Sequence, residues 1–449
     1  MRKKTVRILT GTGILVVALA MIYAIAVGVS ALKLRRAYAA LEKDGRPMKA
    51  SDIIPAQVPD TENAALLYES AFLLLKAQPV GEKDLLGHLG KLAMAYANGS
   101  ADPNHLPELQ QLMQLETVAS AIRAVQQGAM RSACRFERDY EGEVGISPYL
   151  NDLRSFTSIL AAQAILDAEA GRTDQAWDVA VTQLKFADAL RTEPAFIVSQ
   201  LVRVAQIKMA CMTIQRLCDH SVPNDEQARE TQSLLGKLDD MAPLVLAVDG
   251  ERLLFGEWLF SLGRADMRES LFRIVGESYV PEIVQKLRVR WITFKPFLLT
   301  DHALYLNLMR NYAKQFSGAY ERSEADALDG SFSDIRQRHT LTAIITPAMA
   351  RVKEIYLRMV AEMHVTQTGL ALLQYRKTHQ AFPDVLDALA LQYSQDPFSQ
   401  GLLLYRPEGE GFILYSVGPD QKDNSGRPRQ RKGNAEYDLV WRFPSQPDR

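Results

Sequence analysis

Cysteine is scarce in this sequence of 449 residues, and its scarcity excludes two kinds of site. The three cysteines, Cys134, Cys211 and Cys218, include no Cys-x-x-Cys pair, so neither a zinc ribbon nor a thioredoxin-type redox centre is predicted. Cys211 and Cys218 are separated by about 10 Å along a helix, which is beyond the reach of a disulfide. We therefore expect them to be small buried apolar residues that contribute to packing.

An excess of charge of one sign is also missing. The formal net charge is -1, so the chain as a whole does not attract nucleic acid, and no nucleic-acid partner is expected. A basic run near the end, Arg427 to Lys432, has no interleaved aromatic residues and has acidic neighbours. This pattern favours a solvated loop over a lipid or nucleic-acid patch.

The usual catalytic signatures are absent as well. The sequence contains no HExxH, GxSxG, P-loop or Rossmann glycine pattern, so no catalytic residue and no organic cofactor is predicted. Its seven histidines are scattered along the chain and are expected to be ordinary surface or core residues: His88, His105, His220, His302, His339, His364 and His379. A site assembled from distant residues stays open as an alternative.

One long hydrophobic run is present, and it predicts a membrane anchor. No charged residue occurs between Arg7 and Lys33, and Ile8–Leu32 is long enough to cross a hydrocarbon core of about 30 Å as a helix. The lipid bilayer is thus the expected partner of residues 8–32. Slightly more basic residues precede the run than follow it, which predicts a single-pass protein of a bacterial inner membrane with a cytoplasmic N-terminus and a periplasmic or other extracytoplasmic body. The alternative is a signal peptide that is cleaved near Val29-Ser30-Ala31.

Helical patterns dominate residues 34–342, which we predict to be an irregular α-helical bundle or short solenoid. The clearest unit covers Leu153–Arg191, where one helix ends at Ala170-Gly171 and another begins after Thr173-Asp174. This turn resembles the link in a tetratricopeptide hairpin, but no second copy follows at that period. Leu244–Leu262 is apolar but is interrupted by charges that include Glu251 and Arg252, which favours a buried helix over a second span.

The pattern changes within residues 343–449, which we predict to be a small α+β module. A long amphipathic helix over Ala348–Lys377 is followed by residues with strand periodicity. Leu402–Arg406 and Phe412–Val417 flank a turn at Pro407–Gly411, and Leu439–Phe443 is a third predicted strand. The predicted fold class is therefore mainly α, with three parts: residues 1–33, 34–342 and 343–449.

Residues 366–441 resemble the globular domain of the major pseudopilin of bacterial type II secretion. The resemblance rests on Ala381-Phe382-Pro383 after the helix, on Asp396-Pro397-Phe398, and on Gly411–Asp420. It implies a calcium ion in the loop after the second strand, held here by Asp420 and Asp438, with Asp423 as a further oxygen donor. Because Lys422 adds an opposing charge, a plain solvated acidic loop is the alternative.

The N-terminal part departs from that family. The apolar run contains no acidic residue, no processed leader is recognisable, and a long helical body separates the run from the module, so a polymerising pilus subunit is not expected. The whole layout is similar to membrane-anchored bacterial proteins that carry the same C-terminal module, a similarity that implies no activity. The sequence favours a non-enzymatic scaffold or adaptor on the outer side of the membrane. The alternatives are a hydrolase with its site in the helical body and an accessory component of a type II secretion-like system.

Overall fold

The computed structural model describes most of the chain: residues 2–81, 83–138, 140, 147–193, 196–263, 265–267, 269–270, 294–317, 341–342, 346, 349–389, 394–399, 401–428 and 437–445. Side chains are described from residue 11 onward. The predicted boundary after residue 342 and most of the basic run, at 429–432, lie outside the described residues.

Helix α1 covers Arg2–Lys43 without a break, so the apolar run and the following eleven residues form one rod. Gly11–Lys43 is long and apolar enough to cross a membrane, and only 6% of its most apolar 18-residue stretch is buried in the protein. Ala37 and Leu41, near the end of α1, are instead almost fully buried. The predicted N-terminal apolar helix is thus confirmed, and it is compatible with an anchor or a signal sequence.

The first layer of the body contains four helices and a very short hairpin. Side-chain caps define two of its helix starts: Asn63 accepts a hydrogen bond from the amide of Ala65, and Asp84 accepts one from the amide of Gly87. The elements are α2 (Ala64–Lys76), β1 (Pro79–Val80), β2 (Lys83–Asp84), α3 (Leu85–Ala97), α4 (Leu106–Met113) and α5 (Glu116–Gly128).

The predicted helical hairpin is present as α6 (Tyr149–Glu169) and α7 (Thr173–Ala187). Gly171 joins them with a φ of +76°, a conformation that side chains disfavour and that ends helices cleanly. Helix α8 (Ile197–His220) follows and is apolar enough to be a second candidate span. However, 67% of its most apolar 18-residue stretch is buried in the protein. It is the central helix of the body, and Cys211 and Cys218 are buried on it as predicted.

The apolar segment that is interrupted by charges forms one continuous helix from Ala242 to Ser261, and the middle of this helix is a π-helical turn. Helix α9 (Asp225–Leu238) leads to α10 (Ala242–Gly250), which passes through a π-helical turn at Glu251–Gly256 into α11 (Glu257–Ser261). Helix α12 (Lys295–Phe316) packs against both α10 and α1. Gly256 is necessary at the π turn because the ring of Tyr305 occupies the space that a Cβ would fill.

The C-terminal part consists of helix α13 (Met349–His379) and a three-stranded antiparallel sheet. The strands β3 (Leu404–Glu408), β4 (Gly411–Ser416) and β5 (Leu439–Phe443) are arranged with β4 in the centre. Pro407 belongs to β3, not to the turn as predicted, and pairs with Phe412. An edge strand tolerates proline because its outer amides need no partner.

A single main hydrophobic core connects these parts. It extends from Ala37 in α1, through the rings of Phe72, Phe156 and Phe186, to Trp441 in β5. Helix α13 contacts α8 and α9 on one side and β4 and β5 on the other. The long helix therefore belongs to the packing of the body and to that of the sheet.

Candidate functional site

A group of buried and half-buried charges lies where α1 enters the body. We call this group the anchor junction: Tyr38, Asp44 and Arg46 from α1 and the loop after it, together with Asp249, Arg252, Glu257, His302, Arg310 and Lys314 from the body. Buried charges are costly unless they are paired, so such a group implies a specific and rigid contact.

Glu257 is the hub of the junction. Its Oε2 accepts a hydrogen bond of 2.7 Å from the Tyr38 hydroxyl and lies 3.1 Å from Nε2 of His302. Burial alone would raise the pKa of Glu257, but hydrogen bonds from His302 and Tyr38 outweigh it and lower the pKa. The ring of Phe260 stacks on His302 and fixes the imidazole. Glu257 is therefore held as a carboxylate that ties α1 to α11 and α12.

A second part of the junction surrounds Arg252, whose side chain is 1% exposed. Arg252 Nη2 is 3.3 Å from Asp249 and also donates to the carbonyl of Pro47, while Arg46 pairs with the other oxygen of Asp249. Burial raises the pKa of Asp249, although the two arginines oppose that effect. The π-helical turn directs Arg252 toward the segment after α1, and such turns often occur at functional positions.

The outer part of the junction is more accessible. Asp44, just beyond α1, pairs with Arg310 and, at 2.8 Å, with Lys314 of α12. Hydrogen bonds from these two cations lower the pKa of Asp44 to about 2. Every part of the junction thus opposes a change in the angle between α1 and the body.

A second group of titratable residues lies at the N-terminal end of α8. Arg138 is 3.0 Å from Glu193, and it lies over the ring of Phe196. Glu251, on the π-helical turn, accepts a hydrogen bond from the amide of Ile197, and burial raises its pKa to about 7. Burial also raises the pKa of Glu193. Two carboxyl groups with raised pKa values beside one arginine are a pattern that also occurs in active sites.

The contact between the body and α13 contains a buried histidine. His364 Nε2 is 2.8 Å from Asp239, and its Nδ1 is 2.7 Å from the carbonyl oxygen of Gln395. Both partners are acceptors, so the imidazole satisfies both only when it is protonated. Burial lowers the pKa of His364, but Asp239 reverses this effect and the net pKa is raised.

A cavity of about 220 Å³ lies between α8, α13 and β5. Lys208 pairs with Glu362 at 3.1 Å on its wall, and burial raises the pKa of Glu362 in spite of this lysine. Among the described residues, the other oxygen of Glu362 has no hydrogen-bond partner. The wall of the cavity therefore combines apolar side chains with charged ones, and it includes Asp438 of the predicted metal set.

The three predicted calcium ligands occupy one loop, but each is already engaged. Asp438 is 1% exposed and accepts hydrogen bonds from the amides of Asn424, Gly426 and Arg427. Asp420 accepts from the amide of Lys422 and the side chain of Asn424. Asp423 accepts from Ser425 and from the Tyr415 hydroxyl.

These hydrogen bonds order the described part of the loop between β4 and β5. Among the described residues, no three His, Cys, Asp or Glu side chains converge in a way that could hold a metal ion. Calcium binding by Asp420, Asp423 and Asp438 stays a prediction.

Comparisons with protein-family models, with curated proteins and with solved structures find no match to this chain. The pseudopilin resemblance of residues 366–441 therefore also stays a prediction.

Sequence patterns did not reveal the anchor junction or the His364 contact. Tyr38 and Glu257 are 219 residues apart, and Asp239 and His364 are 125 apart. No spacing rule connects such positions. The one available signal was the pair of charges Glu251 and Arg252 within an apolar segment, which predicted a helix buried on most faces with these two side chains either paired or directed to solvent. Arg252 is buried and paired with Asp249, and Glu251 is buried, so neither side chain is directed to solvent.

Proposed function

We propose that this chain is a membrane-anchored scaffold or adaptor whose α1 helix holds a rigid helical body at a fixed angle to the bilayer. In this proposal residues 8–32 cross a bacterial inner membrane once, with the N-terminus cytoplasmic and the body on the periplasmic side. The observation that carries it is the anchor junction. A simple tether needs no specific polar contacts with the body, whereas α1 continues without a break from the apolar run to Tyr38 and its half-buried partner Glu257.

An exposed apolar face on α2 supports a role in binding other proteins. Leu66, Leu73 and Leu74 are 44%, 66% and 38% exposed and lie on one side of the helix. Met130, 78% exposed, follows α5 directly before Arg131, which donates to the carbonyls of Asp60 and Thr61 near the start of α2. Large apolar side chains that are exposed together on one helix face are a feature of interaction surfaces.

Site-specific photo-crosslinking in native membranes tests the proposal. A photoreactive residue at Leu73 should give a discrete adduct with a second protein, and Leu73→Glu should prevent the copurification of that protein. Arg229, exposed on α9, is the control position and should give no such adduct. Identical adduct patterns at both positions would contradict the adaptor role.

A second candidate function is a hydrolase, and the pair Glu193 and Glu251 favours it. Two carboxyl groups with raised pKa values could divide the roles of general acid and general base. A screen of ester, phosphate and peptide substrates with the full-length protein tests this alternative. Activity that Glu251→Gln abolishes, in a protein that remains folded, would replace the scaffold proposal.

The third prediction, an accessory role in a type II secretion-like system, rests on the C-terminal resemblance. The helix α13 and the sheet β3–β5 are the features it would use. Copurification of secretion components with the full-length chain, and its loss when residues 394–449 are deleted, would support this role over an unrelated scaffold.

A further inference from the structure

The first turn of α12 lies beside the apolar part of α1. The ring centroids of Tyr23 and Phe294 are 5.3 Å apart, and the hydroxyls of Ser30 and Thr300 are 2.9 Å apart. Later contacts follow in the same order, from Tyr38 with His302 to Asp44 with Arg310. Helices α1 and α12 therefore run parallel, and α12 begins alongside the predicted span, not beyond it.

The level of this contact along α1 places the start of α12 at the membrane. Tyr23 precedes Leu32, the end of the apolar run, by about 14 Å at 1.5 Å per residue. The whole run would measure about 36 Å as a helix, which exceeds a hydrocarbon core of about 30 Å. The excess of about 6 Å allows the outer end of the run to reach the headgroup region. Phe294, beside Tyr23, therefore lies about 8–10 Å inside the acyl-chain region, and Phe297, almost one turn further along α12, lies just inside the boundary between acyl chains and headgroups.

The exposed residues of this turn suit that boundary. Phe297 is 56% exposed and Phe294 is 37% exposed, although both belong to the body and not to the anchor. The ring centroids of Phe294 and Phe297 are 5.7 Å apart, so Phe297 extends the aromatic group that begins with Tyr23. Lys295, exposed between them, can direct its ammonium group to lipid phosphates while its stem stays apolar. Aromatic residues with a flanking cation are characteristic of the membrane–water interface.

We propose that the first turn of α12, residues 294–298, is a second membrane contact through which the body itself rests on the bilayer, with Phe297 among the acyl chains. This proposal rests on the anchor proposed for residues 8–32 and extends it. The surface is continuous with the lipid-facing side of α1, which exposes Ile22, Ile25 and Val29 around the Tyr23 contact. A bilayer covers both surfaces at once, whereas a protein partner would have to enter the lipid to cover Phe297.

Depth-dependent fluorescence quenching with the full-length chain tests the proposal. Leu19→Cys, Phe297→Cys and Asn311→Cys are made in a Cys134→Ser background, in which the remaining cysteines are buried. Each variant is labelled with an environment-sensitive nitrobenzoxadiazole probe and reconstituted into phosphatidylcholine–phosphatidylglycerol vesicles. The vesicles carry nitroxide quenchers either near the headgroups or deep in the acyl chains. Leu19 is 57% exposed within the apolar run, and Asn311 is exposed three to four turns further along α12.

We expect the probe at position 297 to be quenched at least twofold more than the probe at 311, and more by shallow than by deep nitroxides. The probe at 19 should be quenched most by deep nitroxides. Quenching at 19 without quenching at 297 would overturn the second contact and leave the anchor intact. The same conclusion would hold if the emission of the probe at 297 shifted without quenching, because a covering protein and not lipid would then surround it. Loss of quenching at both 19 and 297 would refute the anchor as well. If Phe297→Cys fails to fold, the exposed Lys295→Cys provides the same measurement.

Discussion

Trp441 of β5 packs directly on the backbone of Gly369 in α13, in the space that a Cβ would occupy. This contact allows the sheet to lie close to the long helix, and the indole also meets the ring of Phe412 edge-on. The attachment of the sheet to the body therefore depends on the lack of a side chain at one helical position.

Gly369→Ala is expected to lower the free energy of unfolding by about 2 kcal/mol, because the added methyl group overlaps the indole and forces α13 and β5 apart. Gly236→Ala in α9 is the matched control, since its new Cβ would meet only Gln367, at 3.8 Å. The control should gain up to about 1 kcal/mol from the better helix propensity of alanine. Urea unfolding of both variants measures the difference, and equal effects would contradict the close packing.

His364 predicts a stability term that depends on pH. Its folded pKa is raised above the ordinary 6.5, so the stabilisation is fully present below about pH 6.5 and is lost as the pH rises through the folded pKa. His364→Gln should therefore cost about 1.5–3 kcal/mol at pH 6, the range for hydrogen bonds to charged groups, and less at pH 9. Thermal unfolding at both pH values tests this, with His379→Gln, an exposed histidine on the same helix, as the control. A cost that does not change with pH would mean that His364 is neutral in the folded state.

Glu251 also predicts a stability that falls as the pH rises, but here the removal of the titrating group should stabilise the protein. Its pKa is raised from 4.5 to about 7, so the folded state binds the proton more tightly and the stability falls as the pH rises from about 4.5 to 7. Glu251→Gln keeps an oxygen for the amide of Ile197 and removes this penalty. The variant should be more stable than the natural protein at pH 8, by on the order of 3 kcal/mol, and the gain should shrink at pH 5. A loss of stability at pH 8 would show that the carboxylate has a partner that stabilises its charge.

Removal of the anchor should depend sharply on where α1 is cut. Deletion of residues 1–33 should release a soluble, folded body, because Ala37, Tyr38 and Leu41 remain in place. Deletion of residues 1–43 removes these groups, leaves Glu257 without Tyr38, and should cost about 3–5 kcal/mol or cause aggregation. Sedimentation from membranes and thermal unfolding of the two proteins test this. Persistent membrane association of the protein that lacks residues 1–33 would contradict this expectation, and would mean that another part of the chain, such as residues 294–298, is sufficient to hold the body on the bilayer.

The calcium prediction can be separated from the structural role of the loop. Asp438→Ala leaves three backbone amides, one of them fully buried, without their acceptor and should cost about 2–4 kcal/mol even in the presence of a chelator. Asp423→Ala changes an exposed side chain and should have little effect under the same conditions. If calcium binds, the melting temperature of the 34–449 protein should rise with the ion, and Asp420→Ala and Asp423→Ala should abolish the rise. An unchanged melting temperature with excess calcium would leave a plain acidic loop.

The sequence by itself determined the elements whose information is local. The charge-free run Ile8–Leu32 predicted the apolar helix, Gly171 marked the end of α6, and alternating residues predicted β5 over Leu439–Phe443, because composition, turn chemistry and periodicity act over a few residues. Only the tertiary structure decided which distant side chains meet. The pairs Tyr38–Glu257, Asp239–His364 and Tyr23–Phe294 join residues more than 100 positions apart, and whether a charge is buried, paired or level with the membrane depends on packing that no local pattern encodes.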